Sequence, residues 1–283
     1  MKNFDLLNEK KMLICAHRGV CGGDIPCNTR PAFDIALMQG ADIVELDVTA
    51  SADGELFVFH PEMENRQLGK SDLDIRKLPA DEIKKLHYIN FDGAETAETI
   101  YLLDDIFEHL KGKCYINIDK FGDNPVAIMK KVQKHGMKDQ IILKSAPNEA
   151  VLQMVEETAP DIHYFAIISR WYDHYATHEM LMRRNLNYGG LEVKFDNDDS
   201  PLVCNDFIDR LHRDGKFIWG NSILFNYRVK LAGVHSDDTA LNGDPATGWG
   251  WFADKEFDVL QTDWPREVVL FLQNYHGKHS EIS

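Results

Sequence analysis

The chain has 283 residues, with 31 Lys and Arg against 46 Asp and Glu, and a formal net charge of −15. Such a charge disfavours nucleic acid and anionic membrane as non-specific partners, although a local cation can still receive a small anionic ligand. A hydrophobic content of 44 % suits a chain that buries one large core.

In chain order, the first strand is expected at MLICA (12–16) and is followed by a helix, RPAFDIALMQG (30–40). DIVELDV (42–48) forms a second strand. LFVFH (56–60) comes after the short stretch SADGE, whose Asp-Gly marks a hairpin rather than a crossover. Residues 61–100 are charged and turn-rich, and they read as a small insertion after the second strand. Strands CYINID (114–119), QIILK (140–144), HYFAII (163–168), GLEVKF (190–195), FIWGN (217–221) and FDVLQT (257–262) then alternate with helical patterns such as 123–136, 147–157, 201–215 and 265–277. Buried strands alternating with amphipathic helices imply a parallel sheet. Setting the hairpin strand aside leaves the eight strands of a TIM-type (β/α)8 barrel, expected as a single domain over 1–283.

Segment 1–11 is polar, and no window approaches the roughly 20 apolar residues of a spanning helix. The expectation is a cytoplasmic chain with no membrane insertion; a homo-oligomer is left open. Cys15, Cys21, Cys27, Cys114 and Cys204 include no CxxC pair, so small buried thiols are expected rather than a disulfide framework.

Barrel sites are built where strands end, and here the strand ends are charged. His17 and Arg18 leave the first strand, and Glu45 and Asp47 share one face of the second. His60 ends LFVFH, Asp119 ends CYINID and Lys144 ends QIILK. Glu192 and Lys194 close GLEVKF, while Trp219 and Asn221 close FIWGN. Burying like-charged carboxylates is costly without a cation. An all-oxygen set of Glu45, Asp47 and Asp119 suits one hard divalent ion, Mg²⁺ or Ca²⁺.

HRG at 17–19, then PCNT leading into a helix, GADIVELDV, SADGELFVFHP, and later NIDK and LQTDWP, together resemble the glycerophosphodiester phosphodiesterase family. The resemblance implies His17 and His60 as an acid–base pair, Arg18 as a phosphate fork, and Glu45, Asp47 and Asp119 as ligands of one divalent ion. It also implies a small phosphodiester substrate. The chain departs from the family in having Asp119 in place of a Glu, Phe121 where a Lys is usual, and Cys27 in place of the Glu common before the Asn-Thr pair, a carboxylate that would sit near Arg18 or the metal. On a regular strand Lys120 would point away from the site, which leaves Lys144 to supply the cation, with Glu192, Lys194, Trp219 and Asn221 as further substrate contacts.

The long loop 233–252 is open to two readings. His235, Asp237 and Trp251 either meet the alcohol part of a substrate or pack the loop down. The aromatic run 169–175 likewise forms either a cage for a quaternary ammonium or ordinary packing. A lysophospholipase D or sphingomyelinase D-like enzyme is the rival in chemistry, although the loops look too polar for an apolar rim. A non-catalytic phosphate-binding barrel is the rival in class.

Overall fold

The computed structural model describes residues 12–225 and 228–275, with the side chain of residue 225 left aside. The polar segment 1–11 lies outside these residues. Eight parallel strands close into a barrel: β1 (Leu13–Ala16), β2 (Ile43–Ala50), β6 (Tyr115–Asp119), β7 (Ile141–Ser145), β8 (His163–Ser169), β9 (Tyr188–Lys194), β10 (Phe217–Asn221) and β13 (Val259–Thr262). Closure is made by β1, which pairs with β13 over four residues and with β2 through Cys15–Ile43 and Ala16–Val44. The chain is therefore a TIM-type (β/α)8 barrel. β3 (Leu56–Val58) turns back antiparallel on β2, as the Asp-Gly turn requires.

Alternation along the strands sorts the barrel interior into layers. Leu13, Cys15, Ile43, Tyr115, Ile142, Phe165, Trp219 and Val259 form an apolar plug at the N-terminal end. Two residues further along each strand the inward positions become Glu45, Asn117, Lys144, Asn221 and Gln261. The outward faces pack against the surrounding helices, for example α1 (Arg30–Met38) through Phe33 and Ala36, and α4 (Leu103–Leu110) through Ile106 and Phe107. The plug seals the bottom, so polar chemistry can occur only at the top.

Residues 61–100 carry α2 (Glu64–Leu68), α3 (Ala80–Ile83) and a hairpin of β4 (His87–Ile89) with β5 (Glu95–Thr99). These elements enclose their own small core around Phe57, Phe59, Ile83 and Tyr88. The stretch 201–215 is not one helix. A 3₁₀ turn, Pro201–Val203, stops at extended Cys204, and a helix, Asn205–Arg213, begins after it.

Candidate active site

The turn after β1 takes positive φ at five positions: Arg18 at 58°, Gly19 at 76°, Gly22 at 159°, Gly23 at 57° and Asn28 at 61°. Arg18 N–H donates to Glu45 Oε2 at 2.8 Å, and its Nε sits 3.0 Å from Asp47 Oδ2. Asn28 donates through Nδ2 to the same Asp47 oxygen at 2.9 Å, while its backbone N–H bonds Arg18 O. Thr29 caps α1 by accepting from Ala32 N–H. The Asn-Thr pair therefore ties the HRG turn to β2 and starts the helix.

Strand register assembles the carboxylates. Asp47 faces Asp119 directly across the β2–β6 pairing, with Glu45 two residues earlier on the same face. One oxygen from each of the three lies within 4.8 Å of the others. Burial, with Asp47 alongside, pushes Glu45 up to about 7 against the pull of His17 and Arg18. Asp47 Oδ1 is buried and has no hydrogen-bond partner among the described residues. An orphaned carboxylate oxygen within an all-oxygen donor set fits a hard divalent cation held by Glu45, Asp47 and Asp119.

Two imidazoles flank this cluster. His17 donates from Nδ1 to Asp263 Oδ1 at 2.8 Å, and His60 donates from Nδ1 to Pro61 O at 2.6 Å. These partners place a proton on each Nδ1, and among the described residues neither Nε2 has a hydrogen bond; His60 Nε2 lies 3.9 Å from Asp47 Oδ1. Burial would lower His17, but the bond from Asp263 and the charge of Glu45 raise it.

Lys144 Nζ bonds Glu192 Oε2 at 2.7 Å and Gln261 Oε1 at 2.8 Å, over the Trp219 ring at 4.0 Å. Burial would lower Lys144 and raise Glu192; their mutual charge reverses both, so the pair is ionised. Lys194 reaches Glu192 from the solvent side at 3.6 Å, and Asn221 helps to hold the Glu192 carboxyl down.

His17, Arg18, Glu45, His60, Asp119, Lys144, Glu192, Lys194 and Asn221 line one cavity of about 100 Å³. Asp47 lies just beneath, fully buried. Trp219 does not reach the cavity: it lies a layer lower in the apolar plug, supporting Lys144, because its position on β10 is two residues below Asn221. Lys120, expected to turn away, lines the cavity instead. The strand stops at Asp119, and a φ of 61° at Lys120 swings its ammonium to within 3.8 Å of Asp119. Asn117, Gln261, Ile167, Ile223 and Leu231 complete the wall. A larger cavity of about 560 Å³ near Met12, Val269 and Tyr275 is mostly apolar, and its His212 and Asp258 are paired with each other.

Asp263 is the main residue that sequence reading missed. LQTDWP was legible as a motif, but nothing in it pointed across the barrel to His17. The loop 233–252 takes the packing alternative: His235 stacks on Trp251 at 4.0 Å and bonds Asp198, while Asp237 is buried among protein donors. The aromatics of 169–175 form no cage. Arg170 covers Trp171, and His174 and Tyr175 pack on Phe207. Cys21 is exposed rather than buried, with its thiol 3.4 Å from that of Cys27.

Fold and site together define a barrel shaped to receive an anionic group beside a carboxylate cluster. Residues 17–219 match the glycerophosphoryl diester phosphodiesterase family, and the chain belongs to that family. A glycerophosphodiester phosphodiesterase of Caldanaerobacter subterraneus subsp. tengcongensis is 31 % identical over 160 residues, which is 54 % of this chain and 65 % of the relative. The match thus spans just under two thirds of that relative's length. A glycerophosphoryl diester phosphodiesterase from Parabacteroides distasonis shares the fold with a TM-score of 0.74 at 15 % identity, over 99 % of this chain and 95 % of its own. A phosphodiesterase of Oleispira antarctica, solved with its product sn-glycerol-3-phosphate, aligns with a TM-score of 0.65 at 20 % identity, over 93 % of this chain and 97 % of its own. Among the described residues no helix is long and apolar enough to cross a membrane.

Proposed function

We propose that the chain is a phosphoric diester hydrolase that cleaves glycerophosphodiesters to glycerol 3-phosphate and an alcohol. The observation that carries this reading is the pair of imidazoles, each tied at Nδ1 and uncommitted at Nε2, on either side of the Glu45–Asp47–Asp119 cluster. Family membership and the product seen in the Oleispira relative support it.

In this reading Arg18, Lys120 and Lys194 draw the phosphodiester to the cavity mouth and orient it. His60 Nε2 takes the proton of the attacking hydroxyl, either that of water, which gives glycerol 3-phosphate directly, or that of the neighbouring glycerol hydroxyl, which gives a cyclic phosphate that a water then opens to glycerol 3-phosphate. The new P–O bond forms as the P–O bond to the alcohol breaks. His17, whose pKa the bond to Asp263 and the charge of Glu45 raise, gives its proton to the departing alkoxide. A divalent cation on Glu45, Asp47 and Asp119 would neutralise charge on the phosphoryl oxygens.

A second reading has one specific observation in its favour. Phe91 is 97 % exposed between β4 and β5, and Trp171 is 80 % exposed just past the C-terminal end of β8. Asn90 ties the Phe91 hairpin to Asp24 of the HRG loop. Such an apolar rim, which the sequence did not suggest, would suit a lysolipid with the same headgroup chemistry.

The test is product release from glycerophosphodiesters of choline, ethanolamine, inositol and glycerol, and from lysolipids, after chelation and with Mg²⁺ or Ca²⁺ restored. Metal-restored glycerol 3-phosphate from the soluble diesters is expected. Release from lysolipids alone would replace the first reading with the second. His17→Ala and His60→Ala are each expected to lower kcat by about 10²–10⁴-fold without loss of fold by circular dichroism. Near-normal turnover would remove that histidine from the mechanism.

A further inference from the structure

The loop 233–252 buries a carboxylate that makes no contact with the cavity, Asp237. An isolated buried carboxylate is costly, and this one is satisfied entirely by protein donors. Its Oδ1 accepts from Ser222 Oγ at 2.7 Å, Trp249 Nε1 at 2.8 Å and Thr262 Oγ1 at 2.8 Å. Its Oδ2 accepts from the backbone N–H of Asp263 at 2.9 Å. Four donors match the acceptor capacity of an ionised carboxylate. Burial and the neighbouring Asp263 push its pKa up, and the Ser222, Trp249 and Asp263 bonds oppose them.

Thr262 and Asp263, two of the four donors, also hold His17. Its backbone N–H bonds Thr262 O at 3.1 Å, and its Nδ1–H bonds Asp263 Oδ1 at 2.8 Å. The ring of bonds is therefore closed: Asp237 grips Thr262 by its hydroxyl and Asp263 by its amide, and those two residues grip His17 at two points. Ser222 and Trp249, which share Oδ1 with Thr262, anchor the carboxylate to the end of β10 and to the segment Ala246–Gly250.

We propose that Asp237 is a positioning residue for His17, acting through Asp263, and that the loop 233–252 exists to carry it. This rests on the reading of His17 as the proton donor to the leaving alkoxide. With the Asp263 backbone fixed, its carboxylate meets Nδ1 in line, so Nε2 keeps one tautomer and one direction. Without Asp237 the end of β13 is still paired, but the aim of the Asp263 side chain is lost.

The test is a cycle of Asp237→Asn, Asp263→Asn and the double variant, with folding checked by thermal melting. Asp237→Asn is expected to lower kcat about 10-fold with KM unchanged, and the double variant to be no slower than Asp263→Asn alone. Losses that multiply would assign Asp237 a structural role only and overturn the proposal, as would a folded Asp237→Asn enzyme with full kcat. A second readout needs no turnover. The Nδ1–H resonance of His17 in ¹⁵N-histidine-labelled protein is expected at low field in the parent. It should be lost in Asp263→Asn, and shifted upfield or broadened in Asp237→Asn. A resonance unchanged by Asp237→Asn overturns the proposal even if no substrate of the panel is cleaved. Should Asp237→Asn not fold, Trp249→Phe removes one donor and keeps the ring. It is expected to shift the same resonance, and an unshifted resonance counts equally against the role.

Discussion

Removing the ammonium of Lys144 takes the nearer charge partner from the Glu192 carboxylate, which is 3 % exposed and keeps only the more distant Lys194 at 3.6 Å. Lys144→Met is therefore expected to cost about 3–5 kcal/mol of stability in urea unfolding. Lys144→Met with Glu192→Gln should recover most of that loss without recovering turnover. A single variant as stable as the parent would show that the pair is not coupled. Glu45 makes a pH-dependent counterpart. Its folded-state pKa, about 7, lies above its ordinary range, so its contribution favours the metal-free fold at low pH and is lost as the pH rises through about 7. A divalent ion needs the deprotonated carboxylate. The rise in Tm on adding Mg²⁺ or Ca²⁺ should thus grow between about pH 5 and about pH 8, and a pH-independent rise would remove Glu45 from the ligand set. At His17, Asp263→Asn takes away the bond that raises the imidazole, so the alkaline limb of kcat/KM should move to lower pH. An unmoved limb would assign it to another group.

The HRG turn works because Gly19 has no side chain. A Cβ there would lie 2.7 Å from the Ala32 carbonyl carbon on α1, at a φ of 76° that also strains any L-residue. Gly19→Ala should push α1 off the turn and lower both Tm and kcat, whereas Gly54→Ala, with open space around its Cβ, should leave kcat unchanged. Equal effects would place the sensitivity in backbone conformation alone. The same elements show what was legible. Strands were readable because β-branched runs recur at the spacing a barrel demands, and Glu45, Asp47 and Asp119 were readable because they end those runs. Lys120 was misplaced because a single left-handed residue, invisible to periodicity, re-aims it. Trp219 was misplaced because a strand-end reading does not resolve which of two layers a side chain joins. Asn28 is legible only as part of the PCNT motif, because its bond to Asp47 spans a turn that takes positive φ at Arg18, Gly19, Gly22 and Gly23 as well.

At the scale of the molecule, the barrel class followed from counting strands, while the pairs that complete the site did not, because they join distant parts of the chain. His17 and Asp263 are 246 residues apart, as are Cys15 and its register partner Gln261. Local pattern carries no trace of such partners, and β13 had to be seen lying against β1. That seam has a consequence in time. A refolding chain can gather β2 through β10 and most of its helices before the first and last strands meet, because the longest loop closes at the greatest entropic cost. Ellipticity in the far ultraviolet should then return ahead of turnover, with the lag set by the last four residue pairs to form. The chain would time the completion of its own site: under the proposed function no partly folded intermediate could cleave a substrate, because the residue that holds His17 arrives with the final strand.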